Sequence, residues 1–134
     1  MEQERSFWLV GGDERQRALA RLLREEGHTV HVSGLGGEGE EPLGQGMALA
    51  HCVIFPLPVL NREGLLHTPL VPDCIRLEEA LDRMEPGQLL CGGMVSQEVR
   101  RAGENRGLRV FDYYAREECM IANAVPTVLP IGST

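Results

Sequence analysis

The sequence predicts an open, parallel, doubly wound α/β domain, a three-layer sandwich, and three observations predict it. Short apolar runs alternate along the chain with stretches patterned at helical spacing, the order that places helices on both faces of a mostly parallel sheet. The first run, Ser6-Phe-Trp-Leu-Val10, is joined to the next at Thr29 by a tight turn and one helix, the length of a βαβ unit with parallel pairing and a right-handed crossover. At 134 residues, with 43% hydrophobic and 25% charged content, the chain makes a single domain able to bury a core.

The first strand ends at Gly11-Gly12. Asp13 follows with Gln16 three residues later, the spacing of a capping box, and Ala18, Leu19, Leu22 and Leu23 recur at helical spacing until Gly27 supplies the stop. Thr29-Val-His-Val32 makes the second strand. Gly34 to Gly46 is rich in glycine and glutamate and is expected to be weakly ordered, with local disorder in reach. A brief turn at Met47–Ala50 leads to the third strand, Cys52-Val-Ile-Phe55, after which Pro56 and Pro58 open a long irregular connection to about Pro72. Leu77 to Met84 reads as a helix with Leu77, Ala80, Leu81 and Met84 on one face. Gln88 to Gly93 is the fourth strand. A helix from the N-cap Ser96 to Asn105 follows, and then the fifth strand, Leu108 to Phe111. A short helix and an Ala-Val-Pro-Thr segment close the chain.

Composition excludes several function classes. The net charge of −7 argues against nucleic acid, whose phosphates need clustered basic residues. No apolar run approaches the roughly 18 to 20 residues of a membrane helix, and the acidic start Met-Glu-Gln-Glu-Arg is no signal peptide, so the cytoplasm is the expected location. Cys52, Cys74, Cys91 and Cys119 show no paired spacing, and Cys52 and Cys91 read as small buried hydrophobes. The four histidines show no convergent partners, and His28 and His51, which flank strands, are read as structural.

The literal pattern GxGxxG occurs at Gly34-Leu-Gly36-Gly37-Glu38-Gly39, but it follows the second strand and runs into Glu40, Glu41 and Pro42 rather than a helix. Glutamates there would repel a pyrophosphate, so the motif is read as a decoy. The first turn is the better candidate, because open α/β sheets bind ligands at the carboxyl ends of their strands. Gly12 permits close approach, and Asp13 either only caps the helix or also contacts a ligand. Arg15 either reaches back as a carboxylate partner or is one of four solvated arginines on that helix. Gly92 and Gly93 end the fourth strand on the same edge and leave room for a small molecule or for a neighbouring loop. Beyond the fifth strand come Tyr114, Arg116 and Glu117, with Asn123 two turns further on. Arg116 is either a dicarboxylate clamp or half of a surface pair. No catalytic acid or base is assigned, and no metal site.

These residues carry a resemblance. Gly11-Gly12-Asp13-x-Arg15-Gln16, Cys52-Val-Ile-Phe-Pro-Leu-Pro58 and Arg116-Glu117-Glu118…Asn123-Ala-Val-Pro126-Thr127 resemble the N-terminal domain of the dipicolinate synthase A subunit, over essentially the whole chain. The resemblance implies a flavodoxin-like, Rossmann-like domain similar to the substrate domain of D-2-hydroxyacid dehydrogenases. Residues 1–128 would be that domain, and 129–134 the start of a linker to an NADP-binding domain. No cofactor would be bound by this chain; NADP would sit in the following domain. The implied activity is oxidation of a dihydrodipicolinate-type precursor in sporulation, with Asp13, Arg15, Arg116, Glu117 and Asn123 lining the cleft. Expected partners are a small dicarboxylate substrate, further copies of the chain and a second, flavoprotein-like subunit, with no nucleic acid and no membrane. The alternative is a standalone, non-enzymatic domain that binds a small anion or a partner subunit. Leu129 to Thr134 departs from the family pattern, as does the Gly34–Gly46 loop.

Overall fold

A computed structural model describes residues 5–37, 40–72 and 74–113. Five strands, β1 (Ser6–Val10), β2 (Thr29–Ser33), β3 (Cys52–Ile54), β4 (Leu89–Gly92) and β5 (Arg109–Asp112), pair in parallel in the order β2-β1-β3-β4-β5. This is the flavodoxin-like order, and it reverses between β1 and β3. Helix α1 (Glu14–Glu25) covers one face through Ala20, Leu19 and Leu23 against Leu9, Val30, Val32 and Ile54. Helices α2 (Leu77–Leu81) and α3 (Gln97–Asn105) and a 3-10 helix (Gln45–Leu49) cover the other, against Trp8, Val10, Val53 and Leu90. Burying a leucine such as Leu9 or Leu90 stabilises the sheet by about 1.5–3 kcal/mol each. No helix among the described residues is long and apolar enough to cross a membrane.

Local signals held where the partners are local. Asp13 caps α1, the Ser96 hydroxyl accepts from the Val99 N–H (3.2 Å), and Gly27 ends α1 at φ 94°. The helix read over 77–84 stops at Leu81, although Met84 stays buried in the turn beyond it. His28 and His51 are structural, their Nδ1 atoms accepting the strand-end amides of Arg5 (3.2 Å) and Ser6 (3.0 Å).

Four readings are corrected. His31 does have convergent partners: its Nδ1 lies 2.6 Å from Glu41 Oε2, and its ring stacks on Trp8 at 4.7 Å. The described part of the Gly34–Gly46 loop is packed, not loose. Leu35 is fully buried, and the Glu40 carboxylate accepts the N–H groups of Gly34 and Gly36. The connection after β3 is also organised, with Val59 and Leu66 buried, an antiparallel bridge between Leu60 and Leu66, and the Asn61 side chain accepting from Glu63 and Leu65. Finally, Gln16 does not complete a capping box. It is buried, and its amide donates to the Ile54 carbonyl (3.3 Å) on β3.

Cys52 and Cys91 face each other from neighbouring strands with Sγ atoms 3.5 Å apart. They sit two residues out of register, since Cys52 pairs with Leu89 and Ile54 with Cys91. Strand spacing then puts their α-carbons about 8 Å apart, beyond disulfide reach. Contact with Cys91, and then burial, push the Cys52 thiol far up, so it packs as a small hydrophobe.

Candidate functional site

The site is built at the switch point, where the chain leaves β1 for α1 and β3 for its long connection. Gly12 turns the chain at φ 108°, a conformation L side chains rarely adopt, and the Gln16 side chain lies where a Cβ would project. The turn's amides are committed internally. Gly11 N–H donates to the Ser33 carbonyl (2.7 Å) and Gly12 N–H to the His67 carbonyl (2.8 Å). The returning segment around His67 therefore braces the turn from above β1.

Asp13 occupies the start of α1, and its Oδ1 accepts the Arg15 N–H (2.9 Å). Arg15 folds back onto the same carboxylate, Nη2 to Oδ2 at 2.9 Å and Nε at 3.2 and 3.3 Å, and Nη2 also approaches the Leu57 carbonyl (3.5 Å). Arg15 folds back toward the switch point yet stays 67% exposed, so both readings left open for it stand. The Arg15 side-chain hydrogen bond holds the Asp13 carboxyl below its ordinary range, against a smaller opposing effect of burial. Asp13 raises Arg15 in return. The Nη1 group makes no bond to Asp13 or Leu57.

A depressed carboxyl stabilises the fold above its unfolded value, and that contribution is lost as pH falls through the lower folded value. Asp13→Asn, which keeps a capping acceptor but removes the charge, should therefore weaken folding at pH 7. The loss should be at most about 1 kcal/mol, because the pair is half open to solvent. The difference should vanish well below pH 4, where the unfolded carboxyl is protonated too. Urea midpoints of both proteins across that range measure it; a pH-independent difference would remove the ion pair from the account.

The far wall is the end of β4. The space a Cβ would take at Gly93 is filled by Leu57 (2.5 Å to Cδ1), and at Gly92 by Val59 (2.7 Å). These two glycines give room to the chain's own β3 connection, which carries the cis Leu57-Pro58 bond. Met94 follows at φ 56° and is exposed. Its N–H and that of Val95 donate to the Asp112 carboxylate (3.2 and 2.9 Å), which holds this turn against the end of β5.

Sequence reasoning missed four contributors: Gln16, the Leu57 carbonyl, Asp112 and Tyr113. The Tyr113 phenol is half-buried on the α1 side of the sheet, raised by burial while Arg15 pulls it down. The period of two from Phe111 could have singled it out. Tyr114, Arg116, Glu117 and Asn123 lie outside the described residues, as do the closing helix and residues 129–134. Among the described residues the candidate site is marked by strand order and by the convergence of Asp13, Arg15 and the Leu57 carbonyl.

The family profile for the N-terminal domain of the dipicolinate synthase A subunit matches residues 6–114. The chain belongs to that family. Among solved structures, the dipicolinate synthase A chain of Bacillus subtilis shares the fold with a TM-score of 0.74 at 20% identity, the match covering 96% of this chain and 46% of that one. The dipicolinate synthase A subunit of Bacillus halodurans gives a TM-score of 0.70 at 17% identity, covering 92% and 45%. This dipicolinate synthase A N-terminal-type domain thus spans less than half the length of either solved relative. No curated protein matches the chain significantly.

Proposed function

We propose that this chain is the substrate-side domain of a dipicolinate synthase A-like NAD(P)-dependent oxidoreductase acting on a dihydrodipicolinate-type dicarboxylate in sporulation. The observation that supports it is an arginine held over the β1/β3 switch point, in a chain of this family. In this reading Arg15 Nη1 takes one carboxylate of the substrate, Arg116 takes the other, and Glu117 and Asn123 complete the cleft. Asp13 fixes the Arg15 fork, so that less rotamer freedom is lost on binding.

Neither glycine-rich turn, Gly11-Gly12 or Gly34–Gly36, offers free amides to the pyrophosphate of a dinucleotide. The Gly11 and Gly12 amides are bonded within the chain, Asp13 stands where a phosphate would lie, and the Gly34 and Gly36 amides are taken by Glu40. NADP is accordingly assigned to a second domain, and this chain alone is expected to be inactive. Further copies of the chain and a flavoprotein-like subunit are the proposed partners, and the cytoplasm the proposed location.

The test supplies the complete protein, with and without its partner subunit, with NADP and a dihydrodipicolinate. It follows the absorbance of the reduced nicotinamide together with dipicolinate formed. Stoichiometric appearance of both supports the reading. Binding of the dicarboxylate with no cofactor reduction under any combination would instead favour a non-enzymatic binding domain.

A further inference from the structure

Four of the chain's thirteen basic residues fall within the twelve residues of α1, in a protein of net charge −7. Arg17, Arg21 and Arg24 stand at i, i+4 and i+7 and share one face of the helix, about 200° round the helix from Arg15 for the first of them. They line a cavity of about 430 Å³ between α1 and the segment after β2. That size lies within the span of small-molecule pockets. Its floor is apolar, made by Ala20, Val32 and Leu35, and its rim is the backbone of Gly36 and Gly37, the middle of the GxGxxG pattern that the function above leaves unused.

Two of the three guanidinium groups are pinned. Arg17 donates to the Leu35 carbonyl from Nε (3.2 Å) and Nη2 (2.7 Å) and to Glu14 from Nη1 (3.0 Å), while Arg24 Nη2 donates to the Val30 carbonyl (3.1 Å). The Glu14 carboxylate offsets the charge of Arg17, whereas the neutral Val30 carbonyl orients Arg24 without cancelling its charge. Arg21, between them, has no hydrogen bond or ion pair among the described residues. Among the described residues Glu25 is the one acidic residue of the lining, so with Arg17 paired to Glu14 the groove still keeps Arg21 and Arg24 against Glu25 over an apolar floor. Like charges at i, i+4 repel, and a bound polyanion removes that repulsion.

We propose that this groove binds a small organic phosphate carrying two or more negative charges, its phosphates on Arg21 and Arg24 and its apolar body on Ala20, Val32 and Leu35. A phosphate matches the guanidinium fork and concentrates more charge within one helix turn than a carboxylate does. The lining shares no residue with the Asp13–Arg15 crevice, so the proposal stands apart from the dicarboxylate reading.

The test measures ADP binding to the complete protein by calorimetry, and locates it by the rate at which phenylglyoxal labels each arginine, read by peptide mass spectrometry. Pyrophosphate, adenosine and succinate are the comparison probes. ADP and pyrophosphate should slow labelling of Arg21 and Arg24, whereas adenosine should not. Arg21→Glu should weaken the protected binding by about tenfold or more, while Arg101→Glu on α3 leaves it within about twofold. Arg21 is exposed, so the variant folds, and its circular dichroism checks this. ADP binding that leaves Arg21 labelling unchanged lies elsewhere and overturns the proposal. Equal protection by adenosine, or stronger protection by succinate, overturns the phosphate assignment.

Discussion

Replacing Gly12 with alanine should cost about 2–6 kcal/mol of folding stability, and two terms add to give it. Its φ of 108° is a conformation that costs an L residue of order 1–3 kcal/mol. An added Cβ would also stand 2.0 Å from the Gln16 Cγ, so the Gln16 side chain must leave its buried position, at a further 1–3 kcal/mol for the forced repacking. Displacing Gln16 gives up its bond to the Ile54 carbonyl and leaves a buried acceptor without that donor. For a domain of this size the midpoint should fall by roughly 10–20 °C. Gly27→Ala is the internal control. Gly27 has φ 94° but nothing within 4 Å of the added Cβ, so only the conformational cost of about 1 kcal/mol remains. Thermal and urea unfolding of both variants decide the matter: equal losses would mean that Gln16 yields freely and does not tie α1 to β3.

The second large effect concerns substrate. On the proposed function, Arg15→Ala in the complete protein should raise KM for the proposed dicarboxylate by about 10- to 100-fold, the loss of one charge-assisted contact. The melting temperature should hardly move, because an exposed ion pair contributes at most about 1 kcal/mol. The same readout applies to Arg116→Ala, the other proposed clamp. Removing Arg15 also leaves the Asp13 carboxylate unneutralised at the edge, where it repels a dianionic ligand. Asp13→Asn in the Arg15→Ala background should therefore recover part of the affinity, and Asp13→Asn alone, which loosens the Arg15 fork but keeps its charge, should raise KM far less than Arg15→Ala. An unchanged KM in Arg15→Ala would confine the pair to helix capping.

Much of the frame could be read from the chain before any coordinates, and the reason is range. Apolar runs at Ser6–Val10 and Thr29–Ser33, the stop at Gly27 and the caps at Asp13 and Ser96 depend on residues within a few positions of one another. Local spacing therefore specified the alternating strands and helices, and with them a parallel sheet. The motif at Gly11-Gly12-Asp13-x-Arg15-Gln16 could be placed at the carboxyl edge of that sheet, because carboxyl ends of strands follow from chain direction alone.

What lies at that edge was decided by groups far apart in sequence. Gln16 has the spacing of a reciprocal cap, yet its partner is the carbonyl of Ile54, 38 residues on. The Gly12 amide is answered by His67, the Arg15 fork reaches Leu57, and Asp112 holds the turn at Met94. Glu40 fills the amides of a glycine pattern that reads locally as a phosphate cradle. The sequence by itself determined which elements form, the direction they run and the edge they present. Only the tertiary structure decided which donors there are already bonded and which remain for a ligand, because a hydrogen bond within a packed interior is set by distance in space and not by separation along the chain.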